Sequence, residues 1–304
     1  MRIGTQYAHQ QAIDTIAQQQ AKQLQTQQQL ASGRRIASPS DDPHAAAESE
    51  KMRSRVARIE AEQRAVTLAR QLLGASEAAV ADGTAMLQSA RDTLLAAANP
   101  TLGSADRAHL AVQLRQTRES LLAIANRGDG AGGFVFGGQG TSAAPFDASG
   151  DEVAYRPQPG TQSLGSEQPA TVGFDGAANF TAVPAAGGPQ NVFTRLDAAI
   201  ALLSDPNVSS AAVGDAMRAT VGSVDRSLER LQLTRVTIGE RLRALDVHEQ
   251  ALESGSIDAQ ARLSQLVDVD FARAISQMQL QHTAVEAAMK SYAQVARLTL
   301  FDYL

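Results

Sequence analysis

Apolar residues along this chain recur at alternating intervals of four and three over most of its length, and one interior window breaks the rhythm. The clearest run is Met217, Val221, Val224, Leu228, Leu231, Arg235, Ile238, Leu242, Leu245, Glu249 and Leu252, in which only Arg235 and Glu249 are polar. That spacing lines one face of a helix and predicts packing against another helix. A second run, Met52, Ile59, Val66, Leu73, Val80, Leu87 and Leu94, repeats every seven residues. Its companion positions Ala69, Ser76, Gly83, Ala90 and Ala97 are small, so a neighbouring backbone can come close. Asp42 followed by Pro43 supplies a cap and a first helical position, which starts this helix at Pro43, and Asn99-Pro100 ends it. Ser104 can cap a third helix, with the stripe Leu110, Leu114, Thr117, Leu121 and Ile124. The short connection makes the two antiparallel neighbours.

The same spacing marks both ends. From Asp268, which can cap it, the last stretch carries Phe271, Ile275, Met278, His282, Val285, Met289, Tyr292 and Ala296, then an apolar tip of Leu298, Leu300, Phe301, Tyr303 and Leu304. Such a helix is not stable alone in water and needs a partner. At the other end, Ile13, Ala17, Gln20, Leu24, Gln27 and Ala31 keep the interval, with Leu30 a further large apolar residue. Eleven of the first 30 residues are glutamine, so Gln-rich low complexity is the competing reading. Helix is favoured because proline is absent and Gln and Ala are good helix formers. Running from about Thr5 to Ser32 it would be ~40 Å long, with Gly33 at its C-terminal cap. Ser38, Pro39, Ser40, Asp41, Asp42 and Pro43 then form an ordered loop and the cap of the next helix.

The interruption lies between Gly128 and Pro189, which holds 14 of the 23 glycines and 6 of the 10 prolines. Helix is excluded there. Residues 132–140, 152–156 and 170–176 are predicted to be short strands between turns. Helix resumes after Asn191, a possible N-cap, and runs to about Leu203; the pattern leaves open whether Gly255 breaks the long helical run beyond it. The expected fold is mainly α: an elongated helical bundle with paired terminal helices and a small β insert at the far tip. Its expected divisions are 1–42, 43–130, 131–190, 191–265 and 266–304.

Composition narrows the function. There are no cysteines, which removes disulfides, thiolate metal sites and cysteine nucleophiles together. A net charge of −5 argues against a general nucleic-acid binder. No stretch approaches the roughly 20 apolar residues of a membrane span, and the first residues have no apolar core of a cleaved signal peptide. Aromatics are absent between Tyr7 and Phe134 and between Phe193 and Phe271, so those stretches must pack through thin seams of Ala, Leu, Val, Ile and Met.

No chemistry converges. Gly132 to Gly138 resembles a phosphate loop only superficially, because Gln139 stands where Lys and a hydroxyl residue belong. The five histidines are scattered, and His248-Glu249 lacks the second histidine that zinc binding needs. Asp268 and Asp270 fit helix capping at least as well as a cation site. Lys51, Arg53, Arg55, Arg58 and Arg64 alternate with Glu48, Glu50, Glu60 and Glu62, the pattern of a solvated helix face. No catalytic residue, cofactor or metal is expected.

Four segments carry a resemblance. MRIGTQ at the start, LASGRRIASPSDDPHAA at 30–46, VFGGQGTSAAPF at 135–146 and VARLTLFDYL at 295–304 are similar to the bacterial flagellin superfamily, and within it to its hook–filament junction branch. The ending Leu-Phe-Asp-Tyr-Leu and the loop Ala37-Ser-Pro-Ser-Asp-Asp-Pro43 differ from flagellins proper and favour the junction branch. The resemblance implies a structural subunit, located outside the cell on the flagellum. It implies export by the flagellar type III apparatus without a cleaved signal, and assembly as a ring of identical copies between the hook side and the flagellin filament. It further implies three partners besides copies of itself: a preceding hook-associated protein, flagellin, and an export chaperone that binds the C-terminal region. The expected assembly and chaperone surface is Ile13, Leu24, Leu30, Phe271, Ile275, Met278, Val285, Met289, Tyr292, Leu298, Leu300, Phe301, Tyr303 and Leu304. A filament-forming flagellin is the alternative. A coiled-coil signalling or adhesive protein and an enzyme built into the insert fit less well.

Overall fold

The computed structural model describes residues 2–158, 163–165, 170–185 and 187–301, without the side chains of 2–6, 8 and 295–301. In chain order the helices are α1 (Arg2–Ser32), α2 (Pro43–Ala97), α3 (Ser104–Ala125), α4 (Val192–Ser204), α5 (Ser210–Val267) and α6 (Phe271–Phe301). Between α3 and α4 lie four two-residue strands, β1 (Phe146–Asp147), β2 (Ala154–Tyr155), β3 (Ser163–Leu164) and β4 (Ala170–Thr171), and one π-helical turn, Ala177–Thr181. The chain divides into two compact units, a terminal one of Met1–Ile59 with Glu253–Leu304 and a central one of Glu60–Leu252, so the boundary falls inside α2 and α5.

In the central unit the heptads become the core. Val66, Leu73, Val80, Leu87 and Leu94 of α2 are buried, and so are Ala69, Ala90, Ala97 and Ser76 between them. Met217, Val221, Val224, Leu231, Ile238, Leu245 and Leu252 of α5 are buried as well. Leu114, Thr117, Leu121 and Ile124 supply the buried face of α3. A Cβ placed on Gly83 would lie 3.4 Å from Leu231 and 3.7 Å from Ile124, so α2, α3 and α5 meet at that glycine.

The two polar seam positions of α5 turn to the edge. Arg235 lies 3.7 Å from Glu77, and Glu249 accepts from Arg70 at 2.5 Å, with Arg70 also 2.9 Å from Asp246 and Arg91 2.7 Å from Asp225. Partner numbers fall along α5 as they rise along α2, so the helices run antiparallel. These pairs are exposed and worth at most about 1 kcal/mol each; the seam supplies the stability and the pairs favour its register.

The insert is less sheet-like than its sequence suggests. β1 pairs with β2 and β3 with β4, each antiparallel and two residues long. Residues 132–140 form no strand; they turn, with Gly132, Gly138 and Gly140 at φ of +94°, +61° and +109°. An alternating apolar run reads as a strand only if its glycines accept extended backbone, and these do not. The insert is held instead by aromatic packing. Phe136 and Phe180 meet edge to face at 5.2 Å, Phe146 and Phe180 at 5.6 Å, and Phe193 of α4 joins Phe146 at 6.1 Å. Asn191 caps α4 by accepting from the amides of Phe193 and Thr194, and its own side-chain amide donates to the carbonyl of Val153 at 2.8 Å.

In the terminal unit α5 is unbroken at Gly255, where an added Cβ would stand 3.7 Å from the Ile59 side chain. A glycine inside a helix costs about 1 kcal/mol relative to Ala, too little to end a helix whose neighbours Leu252 and Ala259 are both buried.

Candidate assembly surface

The terminal helices α1 and α6 pack on each other. Their contact is not the one the apolar spacing of α1 predicts. On α1 the residues sheltered are His9, Ala12, Ile16, Gln19, Gln23, Thr26 and Leu30, which keep intervals of three and four but sit one position away from the expected Ile13–Leu24 row. Thr26 is 5% exposed, while Ile13 and Leu24 are 47% and 59% exposed. On α6 the sheltered residues are Ala274, Met278, Gln281, Val285, Ala288 and Tyr292. The single stripe expected on α6 therefore splits. Met278, Val285 and Tyr292 face α1, while Phe271, Ile275 and Met289 stand 53%, 50% and 44% exposed, with Leu280 at 73% on another side.

Ala12, Thr26, Ala274 and Ala288 let the two backbones approach, and the glutamine stems cover apolar surface while their amides reach water. The sheltered track also contains a ring contact, His9 against Tyr292 at 5.5 Å, edge to face.

Each terminal helix thus carries two lengthwise rows, one used within the unit and one open. The open row of α1 is Ile13, Ala17, Gln20, Leu24, Gln27 and Ala31; that of α6 is Phe271, Ile275, His282 and Met289. Leu298, Leu300 and Phe301 fall on α6 with side chains outside the described ones, and Tyr303 and Leu304 lie outside the described residues.

The loop between α1 and α2 is ordered by its own acids. Asp41 accepts from the amides of Ala37 and Ser38 at 3.0 and 2.9 Å. The hydroxyls of Ser38 and Ser40 meet at 2.5 Å, and Pro39 is exposed. Asp42 accepts from the Ala45 amide at 3.0 Å, the cap expected ahead of Pro43. That amide, followed by the neighbouring Arg35 guanidinium, holds the Asp42 carboxyl below the usual carboxylate range. Sequence reasoning missed Arg35 itself. Its signal was present, a second arginine directly after the Gly33 cap, but the carbonyl its guanidinium reaches, that of Leu266, lies 231 residues away along the chain.

An open groove of about 490 Å³ runs between Leu68 and Leu72 of α2, the glycine-rich turn and Leu164. Its carboxylate, Asp129, is engaged by the amides of Ala131 and Gly133. No cluster of His, Asp and Glu fit to hold a metal occurs among the described residues. None of the described helices is long and apolar enough to cross a membrane.

Comparison with known proteins agrees with this picture. Residues 3–141 match the model of the bacterial flagellin N-terminal helical region. The flagellar hook-associated protein 3 of Salmonella typhimurium is 30% identical over 314 aligned positions, covering 99% of both chains. The protein of the same name from Escherichia coli K12 is 29% identical with the same coverage. Among solved structures, a putative flagellar hook-associated protein from Vibrio parahaemolyticus superposes with a TM-score of 0.68 at 21% identity, over 75% of this chain and 100% of that one. The flagellar junction protein of Legionella pneumophila gives 0.58 at 16% identity, over 73% and 100%. At those identities the structures speak for the fold alone.

Proposed function

We infer that this chain, which belongs to the flagellar hook-associated protein 3 family of flagellin-like proteins, is a structural subunit of the bacterial flagellum that joins the hook side to the flagellin filament. The observation that carries the reading is the match to proteins of that name over 99% of both chains. The open rows of α1 and α6 support it from the physical side. A helix pair with apolar residues on two faces each is incomplete as a monomer, and identical neighbours can fill what is missing.

The same surface supports the finer parts of the reading. Copies form a closed ring through a head-to-tail contact, in which the open row of one helix meets a different row on the next copy. One side of the ring receives the preceding hook-associated protein and the other receives flagellin. Before assembly, an export chaperone covers the α6 row and the apolar end of the chain from Leu298 to Leu304, which limits premature association. The chain is secreted through the flagellar export apparatus without a cleaved signal.

Polymerisation separates this from a filament-forming flagellin. Purified protein offered alone should form no long filament, and it should add to hook ends that already carry the preceding protein. Long filaments grown from this chain alone would make it a flagellin. A truncation lacking 268–304 should lose both chaperone binding and incorporation while the central unit keeps its helical melting transition; undiminished incorporation would refute the surface assignment.

A further inference from the structure

Helix α5 ends at Val267 and α6 begins at Phe271, yet the residues between, Asp268, Val269 and Asp270, include neither glycine nor proline. At the end of α1 the stop is local, because Gly33 adopts φ of +68°. Here Asp270 accepts from the Arg273 amide at 3.1 Å and favours a start for α6, but a cap is a preference that a continuous helix can override. Val and Asp are only weak helix residues, and neither ends α5.

The stop comes from the other end of the chain. In a continuous helix the carbonyls of Leu266 and Val267 would accept from the amides of residues 270 and 271, and the Val269 amide would donate to Gln265. All three groups are taken elsewhere. The Arg35 guanidinium donates to Leu266 O at 2.7 Å, the Arg35 amide donates to Val267 O at 2.7 Å, and the Val269 amide donates to Gly33 O at 3.0 Å. Arg34 and Asp268 are thereby paired as an isolated antiparallel bridge. Arg35 is itself held in place: Asp42 accepts from its guanidinium at 3.3 Å and Gln29 donates to its carbonyl at 2.8 Å. Its positive charge also sits at the negative end of the α5 dipole.

We propose that Arg35 is a positioning residue that keeps α5 and α6 separate, and that without it Asp268–Asp270 becomes helical and the two helices run on as one. The joint stands on the fold alone. Its consequence rests on the assembly reading: each residue turned into helix rotates the downstream chain by roughly 100°, so the open α6 row would leave in another direction and α1 would lose its partner track.

The test uses the full chain, with the 13Cα shifts of Asp268, Val269 and Asp270 and the amide exchange of α1 as readouts. Arg35→Ala should move the three shifts to helical values and speed α1 exchange at least tenfold. Arg35→Lys, which keeps a cationic donor for Leu266 O, should restore native values, an effect that loss of bulk alone would not produce. Should Arg35→Ala fail to fold, Arg35→Met keeps the stem without the donors and should give the helical shifts. Unchanged, non-helical shifts with unchanged α1 exchange in the Ala or Met variant would overturn the proposal and leave the stop to Asp268–Asp270 together with the main-chain bonds of Gly33 and Arg35, which both variants keep. If those shifts stay put but incorporation into hook ends fails, the joint is refuted while the assembly reading stands.

Discussion

Tyr155 is the residue whose chemistry the fold alters most plainly. Its hydroxyl donates to the Phe136 carbonyl at 3.0 Å beside the Phe146 ring, and burial pushes its pKa up to about 12 from an ordinary 10. The neutral phenol is therefore the form the fold prefers. The stability this contributes is complete below pH 10 and is lost as pH rises from 10 to about 12. Thermal melting followed across that window should show a decline that Tyr155→Phe reduces, at the expense of about 1 kcal/mol at neutral pH for the lost hydrogen bond. Asp147 behaves oppositely: the Ser149 amide and hydroxyl, then Arg156, hold it down to about 2. Its share is complete above pH 3.8 and is lost as pH falls from 3.8 to about 2. Gly176 is confined by shape rather than charge. An added Cβ would stand 2.7 Å from the Phe146 ring and 2.8 Å from the Phe136 carbonyl. Gly176→Ala should destabilise the central unit by about 1–3 kcal/mol, read as a lowered denaturation midpoint.

At the scale of the element, Asn191 joins two parts of the central unit, capping α4 while binding the insert through Val153. Asn191→Ala should cost about 1–2 kcal/mol, whereas Asn191→Ser, which keeps only the cap, should recover part of that in the same denaturation measurement. The two rows of α6 give a sharper contrast. Val285 is buried against α1 and Met289 is open. Val285→Ala should lower the stability of the α1–α6 pair by about 1–2 kcal/mol, while Met289→Ser should leave it nearly unchanged by amide exchange.

These elements also mark what periodicity can disclose. The α2 and α5 seams were legible because each has a single apolar face, and Arg235 and Glu249 interrupted it without shifting it. On α1 the same logic selects the row of Ile13 and Leu24, and that is the row left open. Periodicity finds an apolar face; it does not say whether the face is satisfied within the chain or by a neighbour. The paired row carries Ile16 and Leu30 among small residues and glutamine stems, so an apolar count does not separate the two rows. The apolar run at 132–140 has the pattern of a strand, but its glycines turn the chain. The α5–α6 joint was placed only as a helix start, since the groups that make it are joined through Arg35 across most of the sequence.

For the whole molecule, similarity to hook-associated protein 3 over its full length and an open apolar row on each terminal helix point to one kind of role, that of a building block rather than a catalyst. Ile275→Ser combined with Met289→Ser should leave the protein folded and secreted, yet reduce its incorporation at hook ends by about tenfold or more, scored by immunoblot of isolated hook structures. The most direct measurement is electron microscopy of cells in which the gene for this chain is deleted, with flagellin assayed in the medium. The account predicts hooks without filaments, flagellin lost to the medium, and both defects reversed when the intact chain is supplied. Normal filaments on the deleted cells would contradict it.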